Sequence, residues 1–290
     1  MKNGFSVFLA AFIALGASWC GFVFAPVMQL GTAKQTEVLN LSDIYPIQRT
    51  GDATLGLQVY RANGCAACHT EQIQQSGVAC DVILTKAGTK AGFGKLIVDT
   101  QPSWVLDNIN EWLTTLPKTL LHNVSESQAA AVSDKITAFG GKAETHIVAI
   151  GADIARGWGV RRSVAADFLY DYPVQLGSLR VGPDLADVGA RLSNSNWQLL
   201  HLYAPQIVVK NSAMPPFHFL FETKKIGDVP SPDALQLPKE LAPPAGCEVI
   251  PTSDAKNLVA YLLSLRADAP LYEAPFTPPQ VSTNAPANKK

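Results

Sequence analysis

The chain contains one long uncharged apolar run and four stretches in which apolar residues recur at helical spacing. The run covers residues 5–30 and contains no charged side chain. A segment of that length can cross a bilayer as a helix. Because the apolar regions of signal peptides are shorter, we expect an uncleaved membrane anchor over residues 1–32. The alternatives are a signal peptide cleaved after Gly16–Ser18 and a lipoprotein signal at Cys20.

Four further stretches space their apolar residues three or four positions apart, which predicts amphipathic helices. They cover residues 52–63, 103–116, 125–140 and 253–266. Asp52 and either Ser253 or Asp254 are the expected N-caps of the first and last helix. Ser125–Gln128 has the spacing of a capping box, and Gly140 is the expected stop of that helix. These patterns favour a mainly α fold.

The spacing of these patterns divides the chain into segments. The polar stretch 33–51, which contains a proline, is predicted to be a linker. Residues 52–75 and 151–268 contain the candidate chemistry and are expected to form one domain. Residues 76–150 show several helical patterns without an obvious ligand set and are expected to form a helical insertion. Residues 269–290, rich in Pro, Ala and Asn, are predicted to be disordered.

Composition excludes some classes of function. The formal net charge is −1, and charged residues make up only 16% of the chain. Nucleic-acid binding is not expected, because the sequence has no long basic run and no interleaved aromatic and basic residues. Hydrophobic residues make up 47%, which is enough for a core and a membrane segment.

The strongest chemical signal is Cys65-Ala-Ala-Cys68-His69. Cys-x-x-Cys-His is the attachment motif of a c-type haem. Its two thiols bond the haem covalently, and the adjacent histidine takes the proximal position on the iron. Half of a zinc site is the alternative. Zinc would need two more Cys or His ligands at a similar spacing, and the sequence has no second Cys-x-x-Cys.

Elimination suggests a second iron ligand. Met214 is the one methionine outside the N-terminus, and it lies in a proline-containing loop. With histidine and methionine on the iron, both axial positions are filled, which suits electron transfer rather than chemistry at an open site. Met214 as a filler of the core is one alternative, and His201 or His218 as the distal ligand is another. His122 and His146 are expected to be ordinary surface or core residues.

Two further features would suit a haem. Pro183 exposes its carbonyl in a fixed turn, and a metal-bound histidine often donates its second N–H to such a carbonyl. An ordinary turn is the alternative. Arg156, Arg161 and Arg162 form a basic cluster that would suit the two haem propionates, with a solvated loop as the alternative.

Cys80 and Cys247 are the cysteines of the globular part that the haem motif does not use. In an oxidising compartment they are expected to form a disulfide that fastens the insertion to the main domain. Two unrelated buried thiols are the alternative.

Several motifs occur in one order and together carry a resemblance. They are Cys65–His69, Tyr170–Pro173, Gly177–Ser178, Arg180–Leu185, Val188–Arg191, Trp197, His201–Leu202, Pro205, Val208–Val209 and Ser212–Pro215. With the N-terminal anchor, they resemble the membrane-anchored monohaem cytochrome c subunit (subunit II) of cbb3-type cytochrome c oxidases. The resemblance covers about residues 1–75 and 155–270. The compact family form lacks residues 76–150 and usually has Thr where this chain has Val181.

The resemblance implies a class I-like cytochrome c domain with one covalently bound haem c. By it, Cys65 and Cys68 hold the haem, and His69 and Met214 are the axial ligands. Pro183 would support His69, and Arg180 would lie near the propionates.

The resemblance also implies a function. The chain would pass single electrons toward the haem–copper catalytic subunit of the oxidase, beside other cytochrome c subunits, and would not be catalytic on its own. Because c-type haem is attached outside the cytoplasmic membrane in bacteria, the globular part is expected in the periplasm. The alternatives are the cytochrome subunit of a nitric oxide reductase, a non-respiratory haem sensor with Met214 off the iron, and an anchored structural protein without haem.

Overall fold

The computed structural model describes residues 3–30, 34–39, 41–101 and 109–278. Its helices are α1 (Gly4–Trp19), α2 (Ala25–Leu30), α3 (Gly51–Ala62), α4 (Phe93–Thr100), α5 (Ile109–Thr114), α6 (Glu126–Ala138), α7 (Ala152–Ala155), α8 (Val188–Arg191), α9 (Ser195–Tyr203), α10 (Pro205–Val208) and α11 (Ser253–Ser264). Its strands are β1 (Thr36–Glu37), β2 (Ile44–Tyr45), β3 (Gly77–Lys86), β4 (Lys118–Val124), β5 (Lys142–Ile150), β6 (Phe221–Lys225) and β7 (Cys247–Pro251). Residues 103–108 of the predicted helix 103–116, and residues 279–290 of the predicted disordered tail, lie outside the described residues.

A single apolar helix forms the N-terminus. α1 continues into α2 through a π-helical turn at Cys20–Phe24, where the Ala25 amide bonds the carbonyl of Cys20 five residues back. Pro26 follows at once, and a proline inside a helix lacks an N–H and crowds the preceding turn, which explains the interruption. The segment Gly4–Gln29 is long and apolar enough to cross a membrane, and it is not buried against the rest of the chain.

The main domain (residues 51–75 and 151–268) is built around the packing of α3 against α11. Leu57 and Tyr60 of α3 are buried in one core with Leu258 and Tyr261 of α11. Both helices begin after a threonine that accepts a backbone N–H with its side chain, Thr50 in α3 and Thr252 in α11. The expected caps, Asp52 for α3 and Ser253 or Asp254 for α11, therefore lie inside the first turns.

The insertion combines strands and helices, so the expectation of a helical insertion is wrong. Residues 77–150 contain a three-stranded antiparallel sheet in the order β4-β3-β5. Cys80, Val82 and Leu84 alternate along β3 and form a core with residues of α4 and α6, including Ile97 and Ile136. This spacing of two residues buries one face of a strand. The predicted capping box at Ser125 and Gln128 is present at the start of α6.

Residues 269–278 are ordered, contrary to the expectation of a disordered tail from residue 269 onward. Leu271 and Ala274 are buried in a small core with Val38 and Tyr45 of the linker. The Thr277 amide donates to the Ile147 carbonyl at 2.8 Å, on the edge of the insertion sheet. Apolar contacts and backbone hydrogen bonds compensate for the entropy of ordering this segment.

The expected disulfide between Cys80 and Cys247 is absent, since both thiols are free. Cys80 is buried inside the core of the insertion, and Cys247 is the first residue of β7 in the main domain. Each cysteine therefore belongs to its own packed unit.

Candidate cofactor site

The end of α3 delivers the two thiols and His69 together. Gly64 adopts the left-handed conformation (φ 66°), which glycine tolerates without strain, and turns the chain out of the helix. Residues 65–67 then form a 3₁₀ turn, and the amides of Cys68 and His69 both donate to the carbonyl of Cys65. Cys65 is half-buried and Cys68 is exposed. Burial raises the pKa of the Cys65 thiol to about 11.

The His69 ring is held by the turn at Pro183. Its Nδ1 lies 2.8 Å from the Pro183 carbonyl oxygen, which can only accept, so Nδ1 carries the proton and Nε2 keeps its lone pair. Burial lowers the pKa of His69 and favours the neutral ring. Gly182 lies against the ring, and a Cβ there would be 2.2 Å from Cε1 of His69. The turn thus needs glycine next to Pro183 to admit the imidazole.

His69 faces a mostly apolar cavity that is open to solvent on one side. Met214 and His201 also line it, whereas His218 does not; the His218 ring packs on Tyr203 at 4.6 Å between centroids. The apolar wall consists of Leu185, Val188, Leu192, Trp197, Leu202, Leu258 and Leu262. The cavity therefore brings His69 together with two of the three candidate distal ligands.

Arg191 lines this cavity, and its Nε is buried without a hydrogen bond among the described residues. Buried polar groups are nearly always paired, so the partner of this nitrogen would be a ligand or a water in the cavity. A guanidinium suits carboxylates. One half-buried and one exposed thiol, a neutral imidazole, a thioether, a guanidinium whose Nε is buried and apolar walls all fit a haem with its propionates.

Arg180 has partners outside this cavity. Its guanidinium contacts Asp153, Thr70 and Gln72, and it does not line the cavity. Arg191 does line the cavity. The sequence singled it out only as part of the motif Val188–Arg191. Its place one helical turn after the buried Val188 is the signal that could have identified it.

The three arginines that the sequence suggested for the propionates also bind protein groups. Arg161 is fully buried and forms a bidentate ion pair with Asp167. Arg162 donates to the Glu273 carbonyl, and Arg156 lies 3.4 Å from Asp153.

The histidines of the insertion lie away from the cavity. His122 is exposed, with Nδ1 3.1 Å from Asp81, and His146 lies 3.8 Å from Glu144. Within the described ranges, no group of three or more His, Cys, Asp or Glu residues could hold a metal ion by itself. The zinc alternative for Cys65 and Cys68 therefore finds no further ligands there.

One protein-family model matches the chain over residues 146–242, and it describes the cytochrome c oxidase mono-haem subunit, FixO. The matched stretch is about a third of the chain. It contains Pro183, Arg191 and Met214, whereas Cys65–His69 lie outside it. No curated protein matches the chain. The haem motif and the family match thus involve different residues that meet at one cavity, and the chain resembles the mono-haem subunit of cytochrome c oxidases, as its ordered motifs predicted.

Proposed function

We propose that this chain is a membrane-anchored c-type cytochrome that transfers electrons to the haem–copper catalytic subunit of a cbb3-type oxidase. It would carry one haem c on Cys65 and Cys68, with His69 and Met214 as axial ligands. The observation that carries the proposal is that His69, with its proton held on Nδ1 by Pro183, shares one apolar cavity with Met214. The haem, when bound, supplies reversible one-electron transfer.

Different residues of the chain would have different roles around the haem. The neutral His69 ring and the Met214 thioether would occupy both axial positions and leave no site for oxygen chemistry in this subunit. With a haem bound, the apolar wall would limit the access of water and lower the local dielectric, and outer contacts of this kind tune a metal site. Arg191, which lines the cavity and has its Nε buried and unpaired, would bind a propionate.

The proposed partners and location rest on the apolar helix and on the family match. The apolar helix at Gly4–Gln29 would anchor the chain in the bacterial inner membrane. The globular part would face the periplasm, beside the haem–copper subunit and other cytochrome c subunits. The family match names an oxidase subunit, and nothing in the described residues favours a nitric oxide reductase subunit or a haem sensor.

Two measurements on the purified full chain test the proposal. A pyridine haemochrome assay should detect one covalent haem per chain, lost in the Cys65→Ser/Cys68→Ser double variant and retained in Cys247→Ser. Carbon monoxide added to the reduced protein should leave the spectrum unchanged, because both axial positions are filled. Absence of covalent haem, or a clear carbon monoxide complex, would contradict the proposed function.

A further inference from the structure

Arg180 binds the segment that directly follows His69. Its Nε donates to Oγ1 of Thr70 at 3.0 Å, and Nη2 donates to the carbonyl of Gln72. Nη1 lies 2.8 and 2.7 Å from the two carboxylate oxygens of Asp153. Nη2 also lies 3.6 Å from Oδ2 of Asp184, so one planar guanidinium contacts four residues. A lysine cannot reproduce this arrangement, because its ammonium lacks the fixed fork of donors.

The same segment is fastened to the turn that holds His69. Oδ2 of Asp184 accepts from Oγ1 of Thr70 at 2.6 Å and from the Gln72 amide at 2.8 Å. The Leu185 amide donates to the Thr70 carbonyl at 2.7 Å. Thr70 follows His69 and Asp184 follows Pro183, so these bonds lie immediately beside the bond between the His69 ring and the Pro183 carbonyl.

Asp153 binds Nη1 of Arg180, whereas Thr70 and Gln72 accept from Nε and Nη2. Its side chain is only 2% exposed, and it also accepts the Gln74 amide at 2.8 Å. A buried carboxylate needs such partners. Asp153 comes three residues after the end of β5, so the chain that leaves the insertion binds the guanidinium that contacts Thr70 and Gln72. The Trp158 ring lies 5.5 Å from the same guanidinium.

We propose that Arg180 is a positioning residue for the His69 ligand. It acts through Thr70 and Gln72 and keeps the Pro183 carbonyl at hydrogen-bonding distance from Nδ1 of His69. That bond makes the imidazole a stronger base, which favours oxidised iron. This role rests on the proposed function, because it requires a haem on His69.

The chain offers a matched control in Arg156. Arg156 also pairs with Asp153, at 3.4 Å, and also lies against the Trp158 ring, at 4.9 Å. Its side chain is 56% exposed and has no described hydrogen bond to residues 70–72. Arg156→Lys therefore changes an ion pair with the same carboxylate and leaves the contacts of Arg180 with Thr70 and Gln72 in place.

The test compares Arg180→Lys with Arg156→Lys in the full-length, haem-loaded protein. Both substitutions keep the charge, so a difference reports geometry rather than Coulomb interaction. We expect Arg180→Lys to raise the midpoint potential and to move the NMR signals of the His69 ring protons, and Arg156→Lys to leave both at the parent values. Equal potentials and ring signals in all three proteins would overturn the role of Arg180.

Asp153→Glu provides a second variant in case Arg180→Lys does not load haem. It keeps the charge but displaces the carboxylate by one methylene, so it should raise the potential in the same direction. A folded, loaded Asp153→Glu protein with the parent potential would also overturn the role. A parent protein without covalent haem would refute the proposed function instead, and this role with it.

Discussion

Gly56 in α3 lies so close to Asn257 in α11 that a Cβ at position 56 would be 1.9 Å from the Asn257 carbonyl oxygen. Beside this contact, the rings of Tyr60 and Tyr261 pack with centroids 5.1 Å apart. α3 leads directly to Cys65, and α11 contributes part of the cavity wall. The close contact of these two helices therefore holds Tyr60 of α3 beside Leu258 and Leu262 of α11 in the wall of the candidate haem site.

Gly56→Ala should lower the stability of the protein by about 3 kcal/mol, because the two helices must separate to admit the methyl group. Gly51→Ala is the control, since Gly51 lies in the first turn of the same helix with nothing near its Cβ direction. The control should be neutral or slightly stabilising. Denaturant unfolding of both variants measures the difference, and equal midpoints would contradict the close contact.

Met214→Leu should leave the haem covalently attached but remove the sixth ligand. Leucine fills a similar volume without a thioether, so the iron should lose the weak far-red absorption band of sulfur ligation. The reduced variant should also bind carbon monoxide. Met28→Leu, in the exposed apolar helix, is the control and should keep the parent spectrum. If Met214→Leu retains the far-red band, another residue is the ligand.

Arg191→Gln should lower the midpoint potential. The Arg191 side chain lines the cavity, and a nearby cation stabilises the reduced haem, which carries one positive charge fewer. Arg61→Gln removes an exposed arginine from α3 and serves as the control. A redox titration decides the matter, and equal potentials for the two variants would place Arg191 away from the haem.

Asp187→Asn should stabilise the protein at neutral and alkaline pH. Burial, together with the nearby Asp268, raises the pKa of Asp187 to about 7. The folded state then holds this proton more tightly than the unfolded state does. Stability should fall as pH rises from about 4 through 7, at about 1.4 kcal/mol for each unit of pKa difference.

The same substitution should remove that part of the pH dependence, because the new amide oxygen can still accept the Ala267 amide that Asp187 binds at 2.9 Å. The exposed Asp228→Asn variant should keep the parent profile. Denaturant melts at pH 5 and pH 8 provide the measurement. A stability difference between the two pH values that is unchanged in Asp187→Asn would show that another group is responsible.

Cys80 and Cys247 should be alkylated separately when the denatured, unreduced protein is treated and digested, because both thiols are free. In the native protein, Cys80 should react far more slowly than Cys247, since Cys80 lies in the core of the insertion. Mass spectrometry of the peptides reads both results. A peptide pair joined through the two sulfurs would contradict the packing described above.

Local sequence was sufficient for features whose physics is local. The uncharged run predicted the apolar helix, the capping box predicted the start of α6, and the apolar spacing of residues 52–63 predicted α3. Each depends on residues within a few positions of one another, so their spacing along the chain is the spacing that matters.

Tertiary structure decided what depends on distant partners. Buried residues alternate along β3. Its apolar run is short, however, and it becomes a strand only because β4 and β5 pair with it. Residues 269–278 are ordered by contacts with the linker and with Ile147, which composition cannot reveal. Arg180 and Arg191 have the same side chain, and only folding puts one on Asp153 and the other in the cavity. A side chain's role there depends on which groups packing brings within hydrogen-bonding distance, and sequence spacing does not encode that distance.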